Sequence, residues 1–574
     1  MATSWTIAVM IGAITIVLGL LLTLVPAMAL AEEAPATPIG ENSVIRSLTR
    51  EEYTAAYEDL MGFTPADTSG GNLIAGQIGD IQTLQPLLAE DANTVAIVGL
   101  IYQGLIGTDV QTGQPAPTGL ADWWEIAPDR VTYTFHLNQD AKWHDGEDVT
   151  AEDVQFSFDA LANPDVGSAY TQSFLGAVKS WRIVDADTFE VVATEPLSTF
   201  LYNLTNWIIP KHIWEGVPVA NWRTDGGATG QDPARVIGSG PFRFETWAPG
   251  ERVSVVRNDA FFAKVPTIDR FTMTVWPDQT AMVNALLNGE VDTAPLAPAD
   301  VATVADTDGL RVISVPTTGF TFYLTNLDPA KTPLFTDVRV RRALLYGLDR
   351  EAMARDILLG NAEVANGSQP QISYAYAPER MTTTYTYDPE KARALLAEAG
   401  WTDSDGDGVL DKDGVPFQFE LIYRSGSATD DQQVAYMQDA WSKLGIAMTP
   451  RAMEFPALVA QLSDSHDFAM ALIGFGWDAS FNQDGMFGCA QYDGGFNVVR
   501  YCNEKVDALN AEAMRTFDEA ARRELLIAAT DLINEDLPVA VLHFTTTNIG
   551  ASDRLQNFAP TSWGVDLGYV WIAD

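Results

Sequence analysis

The chain has 574 residues, with 34 lysines and arginines against 77 aspartates and glutamates, which gives a formal net charge of −43. A surface this acidic repels phosphate backbones, so nucleic-acid binding is excluded as a function. Hydrophobic residues make up 47% of the chain, enough for a sizeable buried core, and only two cysteines are present, which excludes a fold held together by many disulfides.

The N-terminal segment predicts export. No charged residue occurs from Thr6 to Ala31, and this apolar run is close to the roughly 20 residues that a membrane-spanning helix needs. Two A-x-A cleavage patterns lie at its end, as in a secretory signal, although the usual basic residues before the apolar run are missing. We therefore expect residues 1–31 to be a signal peptide or an uncleaved membrane anchor, and the protein to be periplasmic or at the cell surface.

Residues 32–69 are predicted to form a linker or stalk, because they begin with a stretch rich in proline, glutamate and small residues. Thr49 and Glu52 have the spacing of a capping box, in which two residues satisfy each other's backbone N–H groups at the start of a helix. This spacing predicts a short helix over residues 50–61 that ends at Gly62.

The main body alternates predicted strands and helices. Residues 131–137 alternate apolar and polar side chains with a period of two, which is typical of a half-buried strand. Further strands are predicted at 188–193, 252–257, 270–276, 310–315, 320–327, 416–423 and 468–474. Helices are predicted at 338–348, at 389–399 and within 504–535. Mixed strands and helices without an internal repeat predict an α/β fold with several lobes.

Signatures of common enzymes are missing from the sequence. It has no H-E-x-x-H zinc motif, no G-x-S-x-G nucleophile elbow and no phosphate-binding G-x-x-x-x-G-K-[ST] loop. Residues 474–479 match a loose dinucleotide-binding pattern, but no helix is predicted to open there, so we interpret them as a loop. The abundance of acidic residues leaves a carboxylate pair for glycoside hydrolysis as an open alternative.

Asp403, Asp405, Asp407 and Asp411 follow the ligand spacing of a calcium loop. The twelfth position of that loop, where a bidentate glutamate is expected, is Gly414. The alternative interpretation, which we favour, is an Asp/Gly hairpin turn before the next strand. We accordingly predict no cofactor and no metal, with this loop as the weak candidate for calcium.

Cys489 and Cys502 lie 13 positions apart. In an exported protein these residues are expected to form a disulfide, which chain-entropy reasoning values at roughly 3 kcal/mol. The alternative is a pair of reduced, buried thiols.

Nine motifs follow one another at residues 71–73, 81–86, 100–105, 120–158, 238–242, 286–292, 337–350, 387–401 and 501–513. In this order they resemble family 5 of the extracellular solute-binding proteins, which includes the dipeptide-, oligopeptide- and nickel-binding receptors of ABC importers. The most specific is residues 120–158, in which a strand precedes the turn Trp143–Gly146 and a helix that Thr150 can cap. The resemblance covers about residues 70–574.

The resemblance implies a two-lobed clamshell of the periplasmic-binding-protein type II, with an additional domain and a two-crossing hinge. Lobe I would comprise residues 70–103, 235–318 and 538–574, the extra domain residues 104–234, and lobe II residues 319–537. The chain would cross between the lobes near 316–326 and 536–545. A ligand would lie between the lobes and close them.

The resemblance also implies where a ligand binds. Many peptide-binding members carry a loop of the form W-x-x-D-Y-x-D-P, in which an aspartate pairs with the α-amine of the peptide. The corresponding stretch begins at Trp477 and departs from that pattern, so Asp478 and Asp484 are the candidates for the pairing residue. The other candidates are of three kinds. Phe475 and Trp477 would form aromatic walls of the site. Tyr323 and Asn326 lie at the predicted strand end beside the hinge, and Tyr102 and Gly240 would present the lobe I backbone to the ligand.

Three other charged or polar residues are interpreted as structural. Arg341 and Arg342 could pair with a ligand carboxylate, but they are interpreted as helix-surface or lobe-packing charges. His144 is interpreted as a structural residue of the turn Trp143–Gly146.

The expected function is that of an extracellular substrate-binding protein of an ABC transporter. It would capture a peptide or peptide-like solute and deliver it to membrane permease subunits, as a monomer and without catalysis. Family members bind peptides mostly through backbone hydrogen bonds, in the manner of an added strand. The open alternatives are a secreted carboxylate-dependent hydrolase acting on oligosaccharides, and a solute-binding protein for oligosaccharides, nickel chelates or opines.

Overall fold

The computed structural model describes residues 43–364, 366–492 and 495–573. The predicted signal peptide or anchor of residues 1–31 lies outside the described residues, as does the first part of the predicted linker. Within the described ranges, no helix combines the length and the apolar character that a membrane crossing requires.

The strands and helices alternate along the chain. The strands are β1 (Ile45–Arg46), β2 (Asn72–Ile78), β3 (Gly107–Thr108), β4 (Pro115–Ala116), β5 (Ala121–Ile126), β6 (Thr132–Leu137), β7 (Val178–Asp185), β8 (Thr188–Ala193), β9 (Phe242–Ala248), β10 (Arg252–Arg257), β11 (Arg270–Trp276), β12 (Thr293–Leu296), β13 (Leu310–Thr325), β14 (Ala362–Val364), β15 (Asp411–Lys412), β16 (Val415–Pro416), β17 (Gln418–Arg424), β18 (Ala447–Met453), β19 (Met470–Gly476), β20 (Val539–Ser552), β21 (Leu555–Gln556) and β22 (Trp571–Ile572). The α-helices are Arg50–Met61, Ala92–Ile101, Ala151–Ala162, Thr171–Ala177, Lys211–Trp214, Gly226–Thr229, Gln279–Leu287, Val301–Ala305, Val338–Tyr346, Arg350–Asp356, Pro389–Glu398, Ala428–Ser442, Phe455–Ala460, Asp484–Phe487, Glu504–Arg515 and Glu519–Asp536.

A large sheet runs through both lobes. Its order is β18-β17-β19-β13-β20-β12-β2-β11-β10-β9, and β14 also pairs with β20. We refer to the half of the sheet with β17 to β19 as lobe II and to the half with β2 and β9 to β12 as lobe I. The two long strands in the centre, β13 and β20, pair antiparallel and extend into both halves. They are therefore the two crossings between the lobes.

The ladder between β13 and β20 shifts register at two places, between Pro316 and Phe320 and between Thr321 and Phe322. Pro316 lies opposite Thr546 and Phe320 lies opposite Phe544, so three residues of β13 face Thr545 alone. Gly319 fits this bend because a side chain there would lie 2.5 Å from the hydroxyl of Thr545. The structure thus contains one continuous strand where the sequence predicts separate strands at 310–315 and 320–327.

A second sheet, antiparallel and five-stranded, has the order β1-β5-β6-β8-β7. It shares a core with the helix Ala151–Ala162, and we refer to this part as the extra domain. Large aromatic side chains such as Phe135, Phe158 and Phe189 fill that core. The helix begins with a capping box in which Thr150 and Asp153 bond to each other's backbone N–H groups, as the sequence predicts.

The segment from residue 43 to 69, predicted as linker or stalk, packs against the body instead. Its helix spans Arg50–Met61 and ends at Gly62, as predicted. The hydroxyl of Tyr53 donates to the buried Asp109 at 2.7 Å, and Phe63 stacks on Tyr569 with 4.1 Å between ring centroids. These aromatic contacts fix the segment on the extra domain and on the C-terminal segment.

The predicted long helix within 504–535 is divided into Glu504–Arg515 and Glu519–Asp536. Asp518 accounts for the break, because its side chain accepts the N–H of Ala521 and so caps the second helix.

His144 ties the turn Trp143–Gly146 to the lobe I turn Gly238–Gly240. Its Nδ1 accepts the N–H of Gly238 at 3.2 Å, and its Nε2 donates to the carbonyl of Gly240 at 3.1 Å. Burial lowers the pKa of His144 to about 4, so the imidazole is neutral at pH 7. This geometry gives His144 a structural role.

Acidification should weaken the fold through His144. An unfolded histidine has a pKa of about 6.5, so the unfolded chain takes up the proton first and stability falls as the pH drops from about 6.5 towards 4. By pH 4.5 this one group should cost about 2–3 kcal/mol of the free energy of unfolding. Urea unfolding of the wild type and of His144→Gln at pH 7.5 and 4.5 measures the difference. An equal loss of stability in both proteins would contradict this role.

Candidate functional site

The implied ligand-binding loop begins where β19 ends. This strand runs antiparallel to β13, with Phe475 opposite Phe320 and Gly476 opposite Gly319. The strand predicted at 468–474 continues through Phe475 and Gly476, which the sequence predicts to be in a loop. Pairing with β13 extends the strand through Gly476, although glycine has a low intrinsic strand preference.

The other edge of β19 is only partly covered. Within the described chain, β17 pairs with β19 over residues 470–472 and no further. The N–H of Trp477 donates to the carbonyl of Thr318 at 3.3 Å, so the backbone of Trp477 faces β13. In an antiparallel ladder, residues that face the partner strand alternate with residues that face away from it. The N–H and C=O groups of Gly474 and Gly476 therefore point away from β13, toward the uncovered edge. Both glycines are exposed.

The loop after β19 lies where three parts of the molecule meet. The hydroxyl of Tyr202, in the extra domain, donates to the carbonyl of Ala479 at 3.1 Å. Burial raises the pKa of Tyr202, so its phenol keeps its proton. The ring of Trp563, in the C-terminal segment, packs edge-on against Phe481 with 6.3 Å between centroids. Both contacts reach the loop from outside lobe II.

A second contact joins the extra domain to lobe II. The N–H of Ser198 donates to the carbonyl of Met514 at 2.8 Å, and the guanidinium of Arg130 lies 5.4 Å from the ring centre of Phe517. The turn between the last two helices of lobe II is thereby held against the extra domain.

Asp478 is the exposed acid of the loop. Its Oδ1 accepts the N–H of Ser480 at 2.9 Å and also the hydroxyl of Ser480. Among the described residues, no side chain of opposite charge pairs with it. In the W-x-x-D spacing counted from Trp477, the aspartate position is Ser480, so the carboxylate at Asp478 lies two residues earlier than in the motif.

The carboxylate of Asp484 accepts a hydrogen bond from a nearby side chain. Asp484 is the first residue of the short helix Asp484–Phe487, and its Oδ2 accepts a hydrogen bond from Gln491 at 2.9 Å. This leaves Asp478 as the more accessible of the two predicted pairing residues.

The two predicted aromatic walls differ in exposure. Trp477 is 6% exposed, stacks on Phe320 and donates through Nε1 to the carbonyl of Ser368 at 2.7 Å. It therefore belongs to the core of lobe II, and its prediction as a wall of the site is corrected. Phe475 is partly exposed and lies edge-on to Phe496 with 5.3 Å between centroids.

Four other predicted ligand contacts are buried and are corrected here. Tyr323 is 1% exposed and packs against Trp441, because both faces of the central strand β13 are covered. Asn326 is fully buried and donates to the carbonyls of His466 and Phe468, so it holds the chain before β19.

Tyr102 and Gly240 are the corresponding corrections in lobe I. Tyr102 is 1% exposed and lies in the core. A side chain at Gly240 would lie 2.5 Å from the carbonyl of Leu100, so this glycine allows two protein segments, rather than protein and ligand, to approach closely.

Arg341 and Arg342 hold the end of the helix Glu519–Asp536. Arg341 donates to the carbonyls of Asp536 and Leu537, and Arg342 donates to the carbonyl of Glu535 at 2.7 Å. Cations at a helix C-terminus satisfy its free carbonyls and complement its dipole. They are packing charges, as interpreted from the sequence.

A disulfide joins Cys489 and Cys502. The loop that it closes carries Phe496, which was not predicted as a site residue. Tyr202 and Trp563 were also missed, since they lie far from the loop in sequence and no local pattern links them to it. The signal for Phe496 was its position inside the predicted disulfide loop.

The acidic loop forms a hairpin end and brings three carboxylates together. β15 pairs with β16 after it, as expected for the turn interpretation. Asp403, Asp405 and Asp407 each offer an oxygen within 4.8 Å of the others, and all three are exposed. Asp411 instead accepts hydrogen bonds from Ser404. The loop is remote in sequence from β19, and calcium binding there stays a prediction.

Comparison with known proteins identifies the family. The sequence model of the bacterial extracellular solute-binding proteins, family 5 Middle, matches residues 116–497. The oligopeptide-binding protein AppA of Bacillus subtilis is 28% identical over 498 residues, which are 85% of this chain and 89% of AppA. The dipeptide-binding protein of Escherichia coli is 26% identical, over 79% of this chain and 85% of that protein.

Solved structures confirm the predicted two-lobed fold. The structure of AppA from Bacillus subtilis in complex with a nonapeptide is 27% identical with a TM-score of 0.67, and covers 88% of this chain and 100% of that one. NikZ from Campylobacter jejuni in complex with Ni(L-His) is 26% identical with a TM-score of 0.67, and covers 89% and 100%. The family match spans well over half of the sequence, and the chain belongs to the bacterial extracellular solute-binding proteins of family 5.

Proposed function

We propose that this protein is the exported substrate-binding component of an ABC importer. It binds a peptide or peptide-like solute between its lobes and delivers it to membrane permease subunits, as a monomer and without catalysing a reaction. Export is supported by the apolar segment of residues 1–31, and the absence of catalysis by the missing enzyme motifs and by family membership.

The uncovered edge of β19 is the observation that carries the peptide proposal. A peptide in extended conformation can add to this edge as a further strand, using the N–H and C=O groups of Gly474 and Gly476. The two glycines have no side chains to obstruct the approaching chain. Main-chain recognition of this kind tolerates many peptide sequences, which suits an importer of mixed peptides.

The relatives support a peptide over a nickel chelate. AppA and the Escherichia coli relative are named for oligopeptide and dipeptide binding, whereas NikZ was solved with Ni(L-His). In the described part of this chain, the acidic, histidine or cysteine side chains close enough to share a metal ion are Asp403, Asp405 and Asp407. These three aspartates lie in the exposed hairpin loop. Among the described residues, no cluster of three such side chains lies at the edge of β19.

Asp478 is the proposed partner of the peptide α-amine. It is exposed, it follows the open strand edge by two residues, and Ser480 holds its carboxylate through two hydrogen bonds. An ammonium group against this carboxylate would form a charge-assisted pair. Asp484, with Gln491 on its carboxylate, is the matched control.

N-methylation of a bound peptide should reveal the added strand. Alternate N–H groups of an edge strand point toward the protein, so a methyl group on one set should block pairing, while the other set should tolerate it. We expect losses of affinity of about tenfold or more at every second residue, because each lost hydrogen bond and steric clash costs on the order of 1–3 kcal/mol. Isothermal calorimetry with a singly methylated series of one peptide measures this. Uniform tolerance would contradict strand addition.

Removal of the charge at Asp478 should weaken binding of peptides with a free amine. Asp478→Asn is expected to cost about 10- to 100-fold in affinity, the value of a charge-assisted hydrogen bond. The same peptide with an acetylated N-terminus should bind the variant and the wild type equally, and Asp484→Asn should change neither affinity. A loss that is the same for both peptides would show that Asp478 has another role.

A further inference from the structure

Phe496 is the most exposed large apolar side chain of the described residues, at 62%. Full burial of such a side chain would contribute about 1.5–3 kcal/mol, so its exposure forgoes a considerable stabilisation. Its position is nevertheless fixed, since its N–H donates to the carbonyl of Gly485 at 3.0 Å and its ring lies edge-on to Phe475.

The chain next to Phe496 is anchored in the core. Asn497 is fully buried, donates to the carbonyls of Gly488 and Tyr501, and accepts the N–H of Tyr501 at 3.0 Å. The disulfide between Cys489 and Cys502 closes the same loop. Residues 496 and 497 are therefore tied to the core by hydrogen bonds while the ring of Phe496 stays exposed.

The aromatic pair lies on one face of the open strand. Side chains alternate between the two faces of a strand, so Phe475 lies on one face, and the other face carries only the hydrogen atoms of Gly474 and Gly476. A peptide added to the edge also alternates its side chains. Those on the Phe475 face would lie next to the rings of Phe475 and Phe496, and those on the other face would meet no protein side chain from β19.

We propose that Phe475 and Phe496 form an apolar subsite for one side chain of the bound peptide. The preferred occupant is an aliphatic or aromatic side chain, which can pack on the exposed ring face of Phe496. This inference rests on the proposed peptide-binding function. Backbone pairing at the open edge alone would not depend on the sequence of the peptide. The subsite adds a preference for certain peptide side chains.

The test uses the affinity ratio between two peptides. A pentapeptide series carries leucine or phenylalanine at one position and alanine elsewhere, and each member is compared with the all-alanine peptide by calorimetry. For the wild type, leucine or phenylalanine at one position, or at two positions that are two residues apart, should raise the affinity about tenfold over the all-alanine peptide. This is the value expected for an added apolar contact in a partly open site. Phe496→Ser should bring that ratio close to one, leave the affinity for the all-alanine peptide within about twofold, and melt near the wild type because the ring is exposed.

Two controls make the outcome specific. Phe496→Leu should keep most of the preference, because it keeps an apolar surface. Phe455→Ser removes another exposed phenylalanine of lobe II, in the helix Phe455–Ala460, and should leave the ratio unchanged. A wild-type ratio that survives in Phe496→Ser would overturn the subsite while leaving peptide binding intact. If the wild type bound no peptide of the series, the proposed function itself would be contradicted, and the subsite with it.

Discussion

The pairing of β13 with β20 is the constraint on which the rest of the molecule depends. The two strands lie side by side through both lobes, so that one sheet is continuous from β18 to β9. The register of the ladder shifts at two nearby places. At the first of them Thr317, Thr318 and Gly319 face Thr545, and there the hydroxyls of Thr317 and Thr545 bond at 2.5 Å. We therefore expect relative motion of the lobes to be a bend or twist near this point, as in hinge-type binding proteins.

This arrangement explains where the recognition surface lies. β19 is the lobe II neighbour of β13, and its last residues leave the sheet just past the interruption. Tyr202 and Trp563 contact the loop after β19 from the extra domain and from lobe I. We expect bending at the hinge to move them relative to this loop, so that a chain held on the open edge would be enclosed. An uncovered strand edge usually favours aggregation. Here the open stretch is short, it ends in glycines, and the net charge of −43 opposes association between copies.

Local patterns predicted the local structure. The period of two at 131–137 and the capping boxes at Thr49 and Thr150 gave strand and helices where the structure has them, because these signals depend on neighbours in sequence. Continuity of β13 was not predicted, since Pro316 and the residues after it break the apolar alternation. Pairing with β20 on both sides of these residues, and with β19 from Gly319 onward, holds the chain extended. Residues 43–69 were predicted as a linker or stalk but pack against the body. Local sequence did not show this, because the partners of Tyr53 and Phe63 lie in distant segments.

The site was predicted less well than the fold. The loop after Trp477 followed from the family motif. The burial of Tyr323 and Asn326 was not predicted, because a sequence does not tell which strand has both faces covered. The open edge depends on β17 pairing only over residues 470–472, which is a property of the sheet as a whole.

Site-resolved hydrogen exchange of β19 tests the central claim most directly. In the free protein the amides of Phe475 and Trp477, which face β13, should exchange slowly, and those of Gly474 and Gly476 should exchange fast. A bound peptide should slow Gly474 and Gly476 by at least tenfold. A peptide that raises the melting temperature while these two glycine amides exchange at unchanged rates would contradict the account.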